Sequence, residues 1–204
     1  MRKLLRKVFS RCSSLVGVSR ARTYLYRLAK PQELAAVGAD PAAVWRLLDP
    51  TRLDVLAEIG PFDVEAGPPR LQRGDVCYVV FLGGRPAHYS WVQRSGSHPL
   101  TEAGISAPVA PGEFWIYHCV TAEWARGRKI YPATLQRILQ DHFANGYSTA
   151  WIYTSRQNVA SQQGILRAGF KPAATLSAFR VGRRYFRTGR ESPEAAAARF
   201  PPLH

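Results

Sequence analysis

Glu113–Thr121 (EFWIYHCVT), the turn Ala122–Ile130 (AEWARGRKI) and Pro132–Asn145 (PATLQRILQDHFAN) decide the fold. The first segment is apolar at nearly every position, which predicts a strand buried on both faces and therefore central in a sheet. In the last, Leu135, Ile138, Leu139, His142 and Phe143 recur at helical spacing, and Gly146 follows where a helix ends. Pro132 sits in the first turn, where its missing N–H is not needed. The turn between them carries Arg126-Gly127-Arg128-Lys129. A strand that passes into a helix through a basic, glycine-containing turn is an anion site: free N–H groups and the positive end of the helix dipole face whatever phosphate lies there.

Outward from this unit, Thr149–Thr154 (TAWIYT) predicts the next strand. Asn158 caps a helix that stops near Gly169, and Pro172–Val181 with Tyr185–Arg187 supplies the last strands. Upstream, Thr23–Leu28 and Asp75–Leu82 read as strands, and Gly83-Gly84 turns the latter into Ala87–Gln93. Asp40-Pro41 and Asp49-Pro50 both predict helix starts, the second helix running to Gly60. Gly67-Pro68-Pro69 and residues 94–112 read as loops. Residues 2–9 read as a short basic helix. The expected class is α/β (α+β mixed), a mixed, mostly antiparallel central sheet flanked by helices.

The net charge of +14 is unevenly placed. Nine of the 28 basic residues fall in residues 1–32 with no acid among them, leaving 19 against 14 acids for the rest. This divides the 204 residues into a basic arm (1–22), one domain (23–187) and an alanine- and proline-rich tail (188–204). Cys12, Cys77 and Cys119 are odd in number and widely spaced, so neither a disulfide framework nor a metal site is expected. No apolar run is long enough to span a bilayer. A cytoplasmic location is expected, peripheral at the inner face of the membrane if the arm binds anionic lipid; an organelle transit peptide is the other reading of such a start. Charge alone argues for nucleic acid, and no recognised module accompanies it, so none is expected as a partner. Oligomeric state is not legible.

The order of strand, Arg126 turn, helix, strand, Asn158 helix and Gly169-Phe170 resembles the GNAT superfamily of acyl-coenzyme A N-acyltransferases, over residues 23–187 and most closely over 112–181. The cadence R-G-R-x-I-Y-P-A-x-L is similar to a branch found among bacterial surface-polysaccharide enzymes. The resemblance implies acetyl-CoA as co-substrate, with no metal, and direct transfer to a small amine such as an amino sugar. It places the pyrophosphate at Arg126, Gly127, Arg128, Lys129, Ile130 and Tyr131, the pantetheine arm along Cys119 and Val120, and the following helix start at Asn158 and Ser161. Lys129 and Tyr131 depart from the family's small residues. Lysine at the first of these either enters the helix ordinarily or holds a left-handed conformation at a cost of roughly 1 kcal/mol. Ile165 stands where many members carry a catalytic tyrosine; Tyr153 and Tyr117 are the candidate substitutes, against a packing role for both. Glu113 is the candidate general base, against an exposed strand-start glutamate. His118, by alternation, is expected on the opposite face and buried. Tyr89 and Trp91, with His88 and His98 near them, are candidates for the acceptor side. A non-catalytic protein that senses coenzyme A or a nucleotide is the alternative reading.

Overall fold

A computed structural model of the chain describes residues 18–30, 34, 36–60, 64–181 and 184–191, the side chains of 18–20, 180, 181, 184, 185 and 187–191 excepted. The basic helix at 2–9, Cys12 and most of the arm and tail lie outside the described residues.

Eight strands form one sheet in the order β10-β9-β1-β8-β7-β4-β3-β2. These are β1 (Val18–Ala29), β2 (Ala43–Leu47), β3 (Val76–Leu82), β4 (Arg85–Gln93), β7 (Glu113–Thr121), β8 (Thr149–Ser155), β9 (Lys171–Val181) and β10 (Arg184–Glu191). Every pairing is antiparallel except β7 with β8. β5 (Ser97–Leu100) and β6 (Ile105–Pro108) make a separate two-stranded hairpin. The helices are α1 (Asp54–Ile59), α2 (Gly67–Gln72), α3 (Ile130–Ala144) and α4 (Val159–Arg167). This is the mixed, mostly antiparallel sheet with flanking helices that the sequence predicts, and β7 is central in it.

Alternation decides what covers each face. Phe114 and Ile116 of β7 and Ile152 of β8 meet the α3 stripe of Leu135, Ile138, Leu139 and Phe143, all buried. Fully burying each such aliphatic side chain contributes about 1.5–3 kcal/mol, so α3 is held by its packing more than by propensity. On the opposite face, Trp115 and Leu25 pack under Leu100 and Ala103 of the β5–β6 hairpin. Among the described residues, no helix is long and apolar enough to cross a membrane.

Four local expectations change. The segment after Asp40 is strand β2, not a helix. Asp40 Oδ1 accepts from Ala42 N–H and its carbonyl from Ala43 N–H, closing a turn that feeds the sheet edge, where Trp45 pairs with Val80. Asp49 likewise closes a turn on Thr51, and the helix starts only at Asp54. Gly67-Pro68-Pro69 opens α2 rather than a loop, because both prolines occupy first-turn positions that need no N–H. The 94–112 loop holds the β5–β6 hairpin. In addition, β1 begins at Val18 and β10 runs to Glu191, so the sheet takes in residues assigned by charge and composition to the arm and the tail.

Candidate active site

β7 and β8 pair only from Glu113↔Thr149 to Ile116↔Ile152, although β7 continues to Thr121 and β8 to Ser155. At the closed end Trp115 and Trp151 stack, their ring centroids 5.6 Å apart. Beyond it the strands part, and the cause lies in the register of β7 on β4. Tyr117 pairs with Trp91 and Val120 with Tyr89, so His118 and Cys119 together face Ser90. His118 takes φ of 48°, a left-handed conformation. The extra residue is a β-bulge, which turns the strand and increases its twist. From Tyr117 onward, β7 has no strand partner on the β8 side.

The parted strands open on their helical side into a groove of about 580 Å³, walled by residues 119–121, 125–132 and the start of α4. It gathers Cys119, Val120, Arg126, Gly127, Arg128, Lys129, Ile130, Tyr131, Asn158 and Ser161 on one surface. Among the described residues, the lining carries Arg126, Arg128, Lys129 and Arg167 and no acid. Glu123 approaches Arg126 at 3.5 Å on the exposed surface, and Asp40 holds Arg128 at 3.1 Å. No side chain caps α3, so its first-turn N–H groups, which lack helical acceptors, are left for a groove ligand. Asn158 caps α4 by accepting from Ser161 N–H at 3.1 Å.

Both departures from small residues have visible consequences. Tyr131 fits because α4 carries Gly164 opposite it: a Cβ there would stand 2.5 Å from the tyrosine ring. Its hydroxyl lies 3.2 Å from Ser161 Oγ, and burial pushes its pKa far up. Lys129 adopts φ of 56°, the left-handed alternative. Lys129→Gly removes about 1 kcal/mol of strain and adds about 0.5–1 kcal/mol of unfolded-state entropy. Folding stability measured by urea titration is therefore expected to stay within about 1 kcal/mol of wild type, while the affinity of the groove for a pyrophosphate probe falls severalfold with the lost charge. A larger stability loss would show that the lysine side chain itself holds the loop.

A second cavity, about 710 Å³, opens on the other side of the gap, and Asn158 lines both. Tyr117 and His118 of β7, Tyr153 and Thr154 of β8, Arg70 and Arg73 from α2 and the residue after it, and His98 and Glu102 from the hairpin line it. Tyr117 donates to the buried Asp75 carboxylate, which also accepts from Arg73. Burial and then that bond push the Tyr117 hydroxyl well above its ordinary pKa, so it remains a phenol. Arg70 donates to His118 Nδ1 at 2.7 Å, which leaves the proton of a neutral ring on Nε2, 3.3 Å from the Tyr89 hydroxyl. Burial, with Arg70 second, lowers His118 to about 4. The Tyr153 hydroxyl points to Pro99 O at 3.4 Å; burial and then Glu102 raise its pKa.

The structure thus divides the sequence candidates. Tyr117 and Tyr153 reach the second cavity. His118 reaches it too, at the cavity wall rather than in the core, because the bulge resets the alternation after Tyr117. Glu113 does not: it lines a third cavity four residues back, ~13 Å along the strand from Tyr117. Tyr89 and Trp91 are fully buried and line neither the groove nor the second cavity; Trp91 lies beneath the Arg70 guanidinium. His88 is fully buried as well, Nδ1 on Thr121 Oγ1 and Nε2 on Ser90 Oγ, both at 2.8 Å. Ile165 is core. Sequence reading missed Arg70, Arg73, Asp75 and Glu102. Glu102 falls in a stretch read as loop, the two arginines follow the Gly67-Pro68-Pro69 loop in a stretch given no element, and Asp75 was read only as the start of a strand.

No family model and no curated protein matches the sequence. Solved structures do match in shape. A GCN5-related N-acetyltransferase from Sphaerobacter thermophilus superposes with TM-score 0.58 at 14% identity, over 90% of this chain and 56% of its own. An acetyltransferase of the GNAT family from Colwellia psychrerythraea gives 0.57 at 16% identity, over 84% of this chain and 57% of its own. AAC(6')-Ib in complex with paromomycin and acetyl-CoA gives 0.52 at 15%, over 69% and 94%. The chain therefore spans little more than half the length of the first two. With the sheet order, the parted central strands and these superpositions together, the chain has the fold of the GNAT acetyltransferases.

Proposed function

We propose that this protein is an acyl-CoA-dependent N-acyltransferase that uses acetyl-CoA and a small amine by direct transfer in a ternary complex. One observation carries the reading: the gap between β7 and β8 joins a basic groove to a cavity lined by a carboxylate and two tyrosines. Bound in the groove, acetyl-CoA supplies the thioester. The first turn of α3 with Arg126 and Lys129 holds its phosphates. The unpartnered edge of β7 near Val120 offers backbone hydrogen bonds to the extended arm, as an added strand receives them, and an N–H to the carbonyl oxygen as charge develops there.

The second cavity takes the amine. Glu102 is the carboxylate that faces this cavity, and it accepts the proton that the attacking nitrogen loses. As the C–N bond forms, the C–S bond breaks, and the Tyr153 hydroxyl supplies the proton the thiolate takes up. Tyr117, bonded to Asp75, positions the cavity wall. An amino sugar remains within the acceptor class, but the aromatic floor expected for it from Tyr89 and Trp91 is buried.

Calorimetry on the full chain tests the groove. Wild type is expected to bind acetyl-CoA, and Arg126→Glu to weaken binding at least tenfold, about 1.4 kcal/mol, by placing a like charge beside the phosphates. Absence of binding at near-millimolar acetyl-CoA rejects the proposal. The buried Ile165, which presents no hydroxyl from α4, favours the sensing alternative. That reading expects binding without thiol release in the presence of pooled amines.

A further inference from the structure

The third cavity lies on the same face of the sheet as the acceptor cavity, beneath the β5–β6 hairpin, and measures about 650 Å³. That is the size of a small-molecule site. Its emptiness comes from truncated side chains: Ala103 and Ala107 above, and Ala173, Ala174 and Ser177 of β9 beside them, line space that larger residues would fill. Trp115 and Trp151 of the stacked pair form an aromatic wall. Among the described residues, Glu113 is the one ionisable side chain in its lining. The carboxylate is half-buried and has no ion-pair or hydrogen-bond partner among the described residues.

We propose that this cavity is a second ligand site, distinct from the coenzyme groove and the acceptor cavity, for a small molecule with a flat apolar body and a basic nitrogen. A half-buried carboxylate at an apolar wall lacks full hydration and gains most from a cation. The indole faces are already covered, Trp115 by His98 and Trp151, and Trp151 by the Arg27 guanidinium 5.7 Å from its ring centroid, so the cavity meets indole edges and Glu113 is what draws the cation. The apolar lining matches the body of the ligand, and Glu113 matches its nitrogen.

The site does not depend on the acyltransferase reading, and its test is built to keep the two apart. The probe is N,N-dimethyl-1-naphthylmethylamine, a tertiary amine that cannot accept an acyl group, with uncharged 1-naphthylmethanol as its control. Binding to the full chain is followed by tryptophan fluorescence and calorimetry, with and without saturating coenzyme A. The amine is expected to bind saturably and independently of coenzyme A. Glu113→Gln is expected to weaken the amine about five- to tenfold and leave the alcohol unchanged. Ala107→Trp and Ser177→Trp, which fill the cavity from roof and floor, are expected to abolish both probes while coenzyme A still binds. Displacement of the amine by coenzyme A, equal effects of Glu113→Gln on both probes, or unchanged binding in both tryptophan variants overturns the proposal. Should coenzyme A fail to bind while the amine behaves as stated, the acyltransferase reading falls and this site stands.

Discussion

Glu102→Gln is expected to lower turnover at saturating acetyl-CoA and acceptor by about 10²–10⁴-fold, the usual contribution of a positioned general base, with little change in acetyl-CoA affinity. The expectation rests on where two carboxylates stand. Glu113 has the position that the resemblance implies for a base, but it faces the apolar third cavity. Glu102, on the turn between β5 and β6, shares the acceptor cavity with Tyr117 and Tyr153 and acts electrostatically on the latter. A group that assists proton removal lowers the transition state and does little for ground-state binding of the donor. The loss should therefore appear in kcat and spare the dissociation constant of acetyl-CoA. Glu113→Gln, measured in parallel, is expected to keep at least about half of wild-type turnover. The reverse ranking of the two variants returns the role to Glu113.

The second large effect is on folding, and it is driven by pH. Burial lowers His88 to about 3 and His98 to about 4. Both are bound as neutral rings, His88 between Thr121 and Ser90 and His98 on Gln93, stacked against Trp115. Their folded pKa values lie below the unfolded value of about 6.5, so between these limits the unfolded chain binds more protons. Stability must then fall as pH falls. It is fully present above about 6.5 and lost progressively down to about 3–4. Each histidine contributes up to about 1.4 kcal/mol per pH unit in that window, several kcal/mol for the pair, against the 5–15 kcal/mol typical of a domain. Urea unfolding between pH 7 and 4.5 is expected to show this slope, and His88→Gln, which keeps hydrogen-bonding groups without titrating, to flatten it. A stability that is level from pH 7 to 4.5 would show that the rings are protonated in place without cost.

The local chemistry of the coenzyme groove was legible because it is local. A central strand, a basic turn and an amphipathic helix follow one another within 113–145, and period and turn chemistry report on neighbours in sequence. The Asn158 helix after its strand was legible for the same reason, as were the stripe on α3 and the sheet class. Three things required the tertiary structure. One was the identity of short edge elements: Val44 and Trp45 have no helical partner to choose but do have β3 to pair with, and Pro68-Pro69 permits a helix start as readily as a loop. A second was the bulge at His118, whose left-handed residue is not glycine and gives no signal, yet it reverses which side chains face the gap beyond Tyr117.

The third was the acceptor cavity. Arg70, Glu102, Tyr117 and Tyr153 come from four segments spread over more than eighty residues, and only the sheet order β8-β7-β4 and the hairpin folded across it bring them together. The sequence by itself determined that a basic turn meets a helix start beside a central strand, because those groups are covalent neighbours. What faces them across the gap, and which glutamate stands there, was decided by packing between distant segments, where one residue of register moves a side chain to the other face of the sheet.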